Sequence, residues 1–140
     1  MKKINAYSHV VQYYETDKMG ITHHSNYVRW MEEARVDYLS QLGWDYDKLE
    51  EKGIISPVIG IEVKYKGSTS FPDKISIEVS VLACKGVRLQ IGYVMKNEEG
   101  KPVCEARSEH CFVNKEGRPI RLEKDHPDFY QALAEQIAEG

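Results

Sequence analysis

Cysteine is scarce in this chain and badly spaced for its usual structural uses. Three occur in 140 residues, Cys84, Cys104 and Cys111, an odd number with no CxxC pair, which argues against a disulfide framework and against a zinc knuckle. Each falls in an apolar, strand-like run, where cysteine behaves as a small buried hydrophobe rather than a nucleophile. Long apolar runs are missing as well. No window approaches the roughly 20 residues of a membrane span, and the lysines of MKKINAYSHV have no apolar stretch behind them. The expectation is a soluble, unexported chain in a reducing cytoplasm. Charge of one sign does not accumulate either: 19 Lys and Arg are interspersed with 22 Asp and Glu, for a net charge of -3. No basic stripe is left to track a phosphate backbone, and nucleic acid is not expected as a partner. No repeat, low-complexity tract or linker divides the chain, so residues 1–140 read as one domain.

What is present is an ordinary globular composition, 41% hydrophobic and 29% charged. INAYSHVVQYY, rich in aromatic and β-branched residues, predicts a first strand ending near Tyr14. Tyr27, Trp30, Met31, Ala34, Tyr38 and Leu42 then recur at steps of three and four, the signature of one helix face. Ser25 is placed to cap this helix and Gly43 to end it. A short helix in DYDKLEEKG, closed by Gly53, comes next.

Four alternating segments follow. The first puts Ile59, Ile61, Val63 and Tyr65 on one face and Glu62, Lys64 and Lys66 on the other. The second does the same with Ile75, Ile77, Val79 and Val81, and a hairpin at Gly86 leads to Val87, Leu89, Ile91, Tyr93 and Met95. The last carries Cys104, Ala106, Ser108, His110 and Phe112 on one face. HPDFYQALAEQIAEG predicts a C-terminal helix with Asp125 or His126 near its cap. This is an α+β pattern, a long helix on a five-stranded antiparallel sheet. An open sheet leaves long edges, which a second copy of the chain would cover, so a homodimer or homotetramer is expected.

The corner between the first strand and the long helix, YYETDKMGITHHSNY, concentrates the chemistry. Asp17 lies in the turn, Gly20 permits a sharp bend, and the helix start offers unpaired N–H groups and positive dipole density. A carboxylate facing such donors is what acyl-transfer chemistry requires. Asp and Thr are equally at home in turns for local hydrogen bonding alone. The adjacent His23 and His24 lack the further ligands a metal site needs, and no metal is expected.

Tyr13, Glu15, Thr16, Asp17, Gly20, His24, Asn26 and Tyr27, followed by Trp30, Glu32 and Arg35, form a pattern that resembles the hot-dog-fold thioesterases. The likeness is to the hydroxybenzoyl-CoA thioesterase family, in particular its acyl-CoA thioesterase branch associated with the Tol-Pal system. The chain departs from that pattern at Gln12, Thr22 and His23. The resemblance implies a hot-dog fold and hydrolysis of an acyl-CoA thioester to free acid and coenzyme A, with no cofactor. It implies that Asp17 is the catalytic carboxylate, as general base for water or as nucleophile forming an anhydride, and that backbone N–H groups of His24 and Ser25 hold the oxyanion.

His24 and Tyr13 are further catalytic candidates, although Tyr13 also reads as a strand-end aromatic filling the core. Gly20, Tyr27, Trp30 and Met31 are candidates for the acyl pocket, and Lys64, Lys66, Arg88, Lys115, Arg118 and Arg121 for the coenzyme A phosphates. Glu32 and Arg35 read as a helix-surface ion pair worth about 0.2–0.5 kcal/mol, and His110 as a satisfied core residue. A non-catalytic module binding an acyl thioester or acyl carrier protein is the alternative, because a fold does not guarantee a reaction.

Overall fold

In the computed structural model, which describes residues 2–137, the aromatic stripe of the long helix is covered by a sheet. The helix, α1 (Ser25–Gln41), buries Tyr27, Trp30, Met31, Ala34, Tyr38 and Leu39. Beyond its end Gly43 takes φ +91°, the left-handed conformation that closes helices. Ser25 is the first helical residue rather than the cap. His24 holds the cap position without a side-chain hydrogen bond, and the Ser25 hydroxyl is 2.9 Å from His23 Nδ1.

The strands are β1 (Tyr7–Val10), β2 (Val58–Tyr65), β3 (Lys74–Lys85), β4 (Arg88–Lys96) and β5 (Pro102–Cys111). They form one sheet in the order β1-β3-β4-β5-β2, with every neighbouring pair antiparallel. The α+β layout expected from the sequence is the one observed. Ile75, Ile77, Val81, Leu89, Ile91, Tyr93, Met95 and the even-numbered residues Cys104–Phe112 point into the core. Full burial of a side chain such as Met95 or Phe112 contributes about 2–3 kcal/mol.

Of three register shifts in the sheet, two bear on which residues face the core. Between Val81 and Ala83 the register shifts, so Cys84 stands opposite Leu89 on the core side and Leu82 is turned out. Between Val58 and Gly60 the same happens in β2: Val58 pairs with His110 and Ile61 with Ser108. Directly paired residues share a face, so Val58, not Ile59, joins Ile61, Val63 and Tyr65 on the inner side.

The first strand is shorter than its composition suggests. It stops at Val10, and Tyr13–Glu15 form a 3-10 turn instead. The Glu15 carboxylate accepts the Gln12 N–H at 2.8 Å, which winds the chain at a point where aromatic residues alone favour extension. After β5 the chain adds α3 (Leu122–Asp125) and α4 (Pro127–Ala134), with α2 (Tyr46–Glu51) lying between α1 and β2. His126 precedes α4 and Pro127 occupies its first turn, while Phe129 packs on Trp44 and Phe112. The predicted C-terminal helix ends at Ala134, and its last residues, 138–140, lie outside the described residues.

Candidate active site

Asp17 sits at the base of a tight hairpin. Its N–H donates to the Ile21 carbonyl at 2.9 Å, its carbonyl accepts from Gly20 N–H at 2.9 Å, and Thr16 and Thr22 bridge below it. The carboxylate oxygen Oδ1 accepts the Met19 N–H at 2.8 Å, a local turn bond of the kind aspartate favours. Gly20 takes φ +78°, where a side chain would be strained. Asp17 is half-buried, and Met19, which donates to it, is exposed.

From Thr22 the chain turns into α1. The His23 N–H donates to the Glu15 carbonyl at 2.8 Å, and Asn26 Nδ2 donates to the same oxygen at 2.9 Å. The Ser25 N–H reaches His23 Nδ1 at 3.3 Å. No acceptor for the His24 N–H is found among the described residues. The hairpin thus delivers a carboxylate, and the chain a few residues later an N–H group without an acceptor among the described residues, at the positive end of a 17-residue helix.

The His24 ring stacks on His23 with centroids 4.3 Å apart and meets Tyr65 edge-on. Tyr65, at the end of β2, donates its hydroxyl to the His24 carbonyl at 3.3 Å. Tyr13 does not fill the core. It is 76% exposed, and its ring meets Phe71 in a T-shaped contact at 5.9 Å. Phe71, half exposed in the β2–β3 loop, therefore belongs to the same aromatic rim as Tyr13.

Tyr27 and Trp30 are core residues of the protomer, with ring centroids 4.8 Å apart. The Tyr27 hydroxyl, whose pKa is pushed up by burial, is 3.0 Å from Thr69 Oγ1. Thr69 Oγ1 is in turn 2.6 Å from Thr22 Oγ1, and the Thr69 carbonyl accepts the Thr22 N–H at 2.8 Å. This residue was not singled out from the sequence. It lies 47 positions from Thr22 in the SerThrSer run after β2, and only the polar composition of that loop hinted at a role. Met31 lines a cavity of about 50 Å³ with Arg35, Val58, Ile61 and His110.

Arg35 and Glu32 do not form the expected surface pair. Arg35 is buried and donates to His110 Nδ1 at 2.9 Å, while Glu32 is exposed. Packing of the α1 inner face on β5 draws the guanidinium inward, where the imidazole supplies an acceptor. His110 is indeed a satisfied core residue, also bonded to Ser108.

The basic candidates are dispersed within one protomer. Lys66 pairs with Glu105 at 3.0 Å and Lys64 with Glu62 at 3.8 Å, both near the Tyr65 end of β2. Arg88 pairs with Glu109 at 3.2 Å. It lies opposite Cys111, whereas Tyr65 lies opposite Cys104, about 23 Å away along the strands. Arg118 occupies the turn after β5, where its N–H donates to Asn114 Oδ1, and the neighbouring Lys115 and Arg121 are exposed.

Among the described residues no three His, Cys, Asp or Glu side chains converge as metal ligands. No helix of the described residues is long and apolar enough to cross a membrane. The Cys84 and Cys104 thiols are pushed up to about 11 by burial, which leaves them poor nucleophiles.

Comparison with known proteins gives the corner its context. The model of the Thioesterase-like superfamily matches residues 11–137. YneP of Bacillus subtilis, named provisionally as an acyl-CoA thioesterase, is 36% identical over 123 residues, 87% of this chain and 89% of its own. The crystal structure of a DHNA-CoA thioesterase from Staphylococcus aureus superposes with a TM-score of 0.88 at 36% identity, covering 94% of this chain and 89% of the other. The acyl-CoA thioesterase YbgC of Haemophilus influenzae is 31% identical over 80 residues, 56% of this chain and 59% of its own. Family, topology and relatives agree: the chain belongs to the thioesterase-like superfamily and is a thioester hydrolase built on the hot-dog fold.

Proposed function

We propose that the protein hydrolyses an acyl-CoA thioester to the free acid and coenzyme A, with Asp17 as its catalytic carboxylate. The observation that carries this reading is a half-buried carboxylate on a hairpin that leads directly into the start of α1, where the His24 N–H has no acceptor among the described residues. The thioester carbonyl would point at the His24 N–H, and at the Ser25 N–H in place of its 3.3 Å bond to His23 Nδ1, so that both would stabilise the developing oxyanion. Asp17 would act on the carbonyl carbon, either through water as general base or directly as nucleophile. A thiol with a pKa of about 8.5 leaves without a strong general acid. His24 and Tyr13 flank the site and would orient the thioester, with Tyr13 in the aromatic rim beside Phe71.

The inner face of β2 is uncovered in the protomer, with Val58, Ile61 and Tyr65 exposed. We place a second copy of the chain there, as a homodimer or a pair of such dimers. The acyl group would then lie between protomers, beside Gly20 and over Tyr27 and Met31, with Trp30, fully buried in the protomer, behind that wall rather than in it. Of the basic candidates, Lys64 and Lys66 lie at the Tyr65 end of β2 in the same protomer, and Arg88 and Arg118 would reach coenzyme A from the partner.

Within the family, the longer matches to YneP and to the DHNA-CoA thioesterase favour their group over the Tol-Pal-associated branch suggested by the motif. An aromatic acyl-CoA therefore heads the panel of substrates. The test is thiol release from short, medium, long and aromatic acyl-CoA thioesters by the purified oligomer. Hydrolysis of one class well above the others supports the proposal. A folded oligomer that turns over none of them contradicts it and favours a binding module.

A further inference from the structure

The hairpin that carries Asp17 is anchored by one buried carboxylate. Glu15 is 5% exposed, and three N–H groups converge on its side chain. The Gln12 backbone N–H and His9 Nε2 reach Oε1 at 2.8 and 2.9 Å, and Trp30 Nε1 reaches Oε2 at 2.8 Å. The donors come from β1, the 3-10 turn and α1. The Glu15 carbonyl adds the bonds to His23 and Asn26 described above. A single residue, two positions before Asp17, therefore ties the first strand, the hairpin and the start of the long helix together. His9 also packs its ring on Trp30, with centroids 4.7 Å apart, and so fixes the indole that donates.

The chemistry of the donors dictates the state of the acceptor. An indole N–H and a backbone N–H only donate. A side-chain amide at position 15 would have to aim its NH2 at one of them. An ionised carboxylate alone accepts from all three. Burial pushes the Glu15 carboxyl up, but the bonds from Gln12, His9 and Trp30 together hold it below the ordinary carboxylate value.

We infer that Glu15 is a positioning residue for thioester hydrolysis, its carboxylate locking the Asp17 hairpin against the start of α1 so that Asp17 and the His24 N–H keep one relative placement. The inference rests on the role proposed for Asp17. Misplacing a reacting group by about 1 Å costs about a hundredfold in rate, and a locked hairpin is what prevents it.

The test compares kcat, KM and thermal midpoint for wild type, Glu15→Gln, Trp30→Phe and the double variant, using the acyl-CoA that wild type hydrolyses best. Leu133→Ala, on the buried face of α4, serves as a purely structural control, and Asp17→Asn is run alongside. Glu15→Gln is expected to lower kcat about a hundredfold with KM changed less than about threefold. Trp30→Phe removes the donor that opposes the amide, so the double variant should recover to the level of Trp30→Phe alone. A Glu15→Gln enzyme that only melts earlier, like Leu133→Ala, and keeps its kcat overturns the inference. So does a double variant no faster than Glu15→Gln. Should Glu15→Gln not fold, Trp30→Phe decides: kcat lowered at constant KM supports the inference, and unchanged kcat overturns it. An active Asp17→Asn overturns both this inference and the proposed function, whereas an inactive Asp17→Asn beside a fully active Glu15→Gln overturns this inference alone.

Discussion

Arg35 and His110 meet inside the core, with Nη1 of one 2.9 Å from Nδ1 of the other and the two residues only 8% and 1% exposed. A guanidinium only donates, so Nδ1 must accept and the imidazole is neutral, carrying its proton on Nε2. That proton points at Ser108 Oγ, 2.7 Å away, and the serine hydroxyl continues to the Tyr93 oxygen at 2.7 Å. The helix charge thereby sets the direction of a polar chain running across two strands.

Burial and the Arg35 charge pull the His110 pKa down to about 4 from an ordinary 6.5. Between those values the unfolded chain binds a proton that the native state refuses, so stability rises with pH across this window and is lost as pH falls from 6.5 towards 4. The loss should be on the order of 3 kcal/mol. Denaturant titrations at pH 7, 6, 5 and 4.5 are expected to show it, and His110→Gln, which keeps an acceptor for Arg35, should flatten the slope. Equal slopes would remove His110 as the cause.

Thr69 is expected to matter more than its place in a loop suggests. Its hydroxyl joins Thr22 and Tyr27, so Thr69→Val leaves the buried Tyr27 hydroxyl without this partner, at a cost of about 1–3 kcal/mol, while Thr22 keeps its bond to the Thr69 carbonyl. Thr69→Ser should cost well under half of that. Chemical denaturation of the two variants beside wild type checks the difference.

The cysteines give a prediction of opposite kind. With their thiols raised to about 11, Cys84 and Cys104 should alkylate far more slowly than free cysteine at pH 8, and both should react at once on unfolding. Mass spectrometry of iodoacetamide-treated protein measures this. Turnover should be the same in a Cys104→Ser variant as in wild type, because the hydrolysis assigned to Asp17 uses no thiol.

How much of this was legible beforehand differs from element to element. The faces of α1, β3, β4 and β5 follow from periods of 3.6 and 2, since burial on one side writes itself into the residue order. The asymmetry of β2 was hidden because a bulge exchanges Val58 for Ile59 without changing composition. The end of β1 was misread because Tyr13 and Tyr14 favour strands, whereas the Glu15 side chain winds them into a turn. Arg35 looked like a surface partner of Glu32 because local spacing says nothing of an acceptor 75 residues away. The same distance problem concealed Thr69. At the corner itself, residue types and spacing leave Asp17, Gly20 and His24 open between a local turn and a catalytic site, and their roles come from the family resemblance; only the folded chain reveals that Glu15 binds its three donors and that the His24 N–H has no acceptor among the described residues.

The measurement that bears most directly on the central claim is kcat for Asp17→Asn against wild type, by thiol release from the preferred acyl-CoA, with thermal melts and sedimentation confirming that both are folded alike. Removing the reacting carboxylate should lower kcat by at least about a hundredfold. A folded Asp17→Asn enzyme within a few-fold of wild type would show that Asp17 is neither base nor nucleophile and that the hairpin is not the catalytic corner.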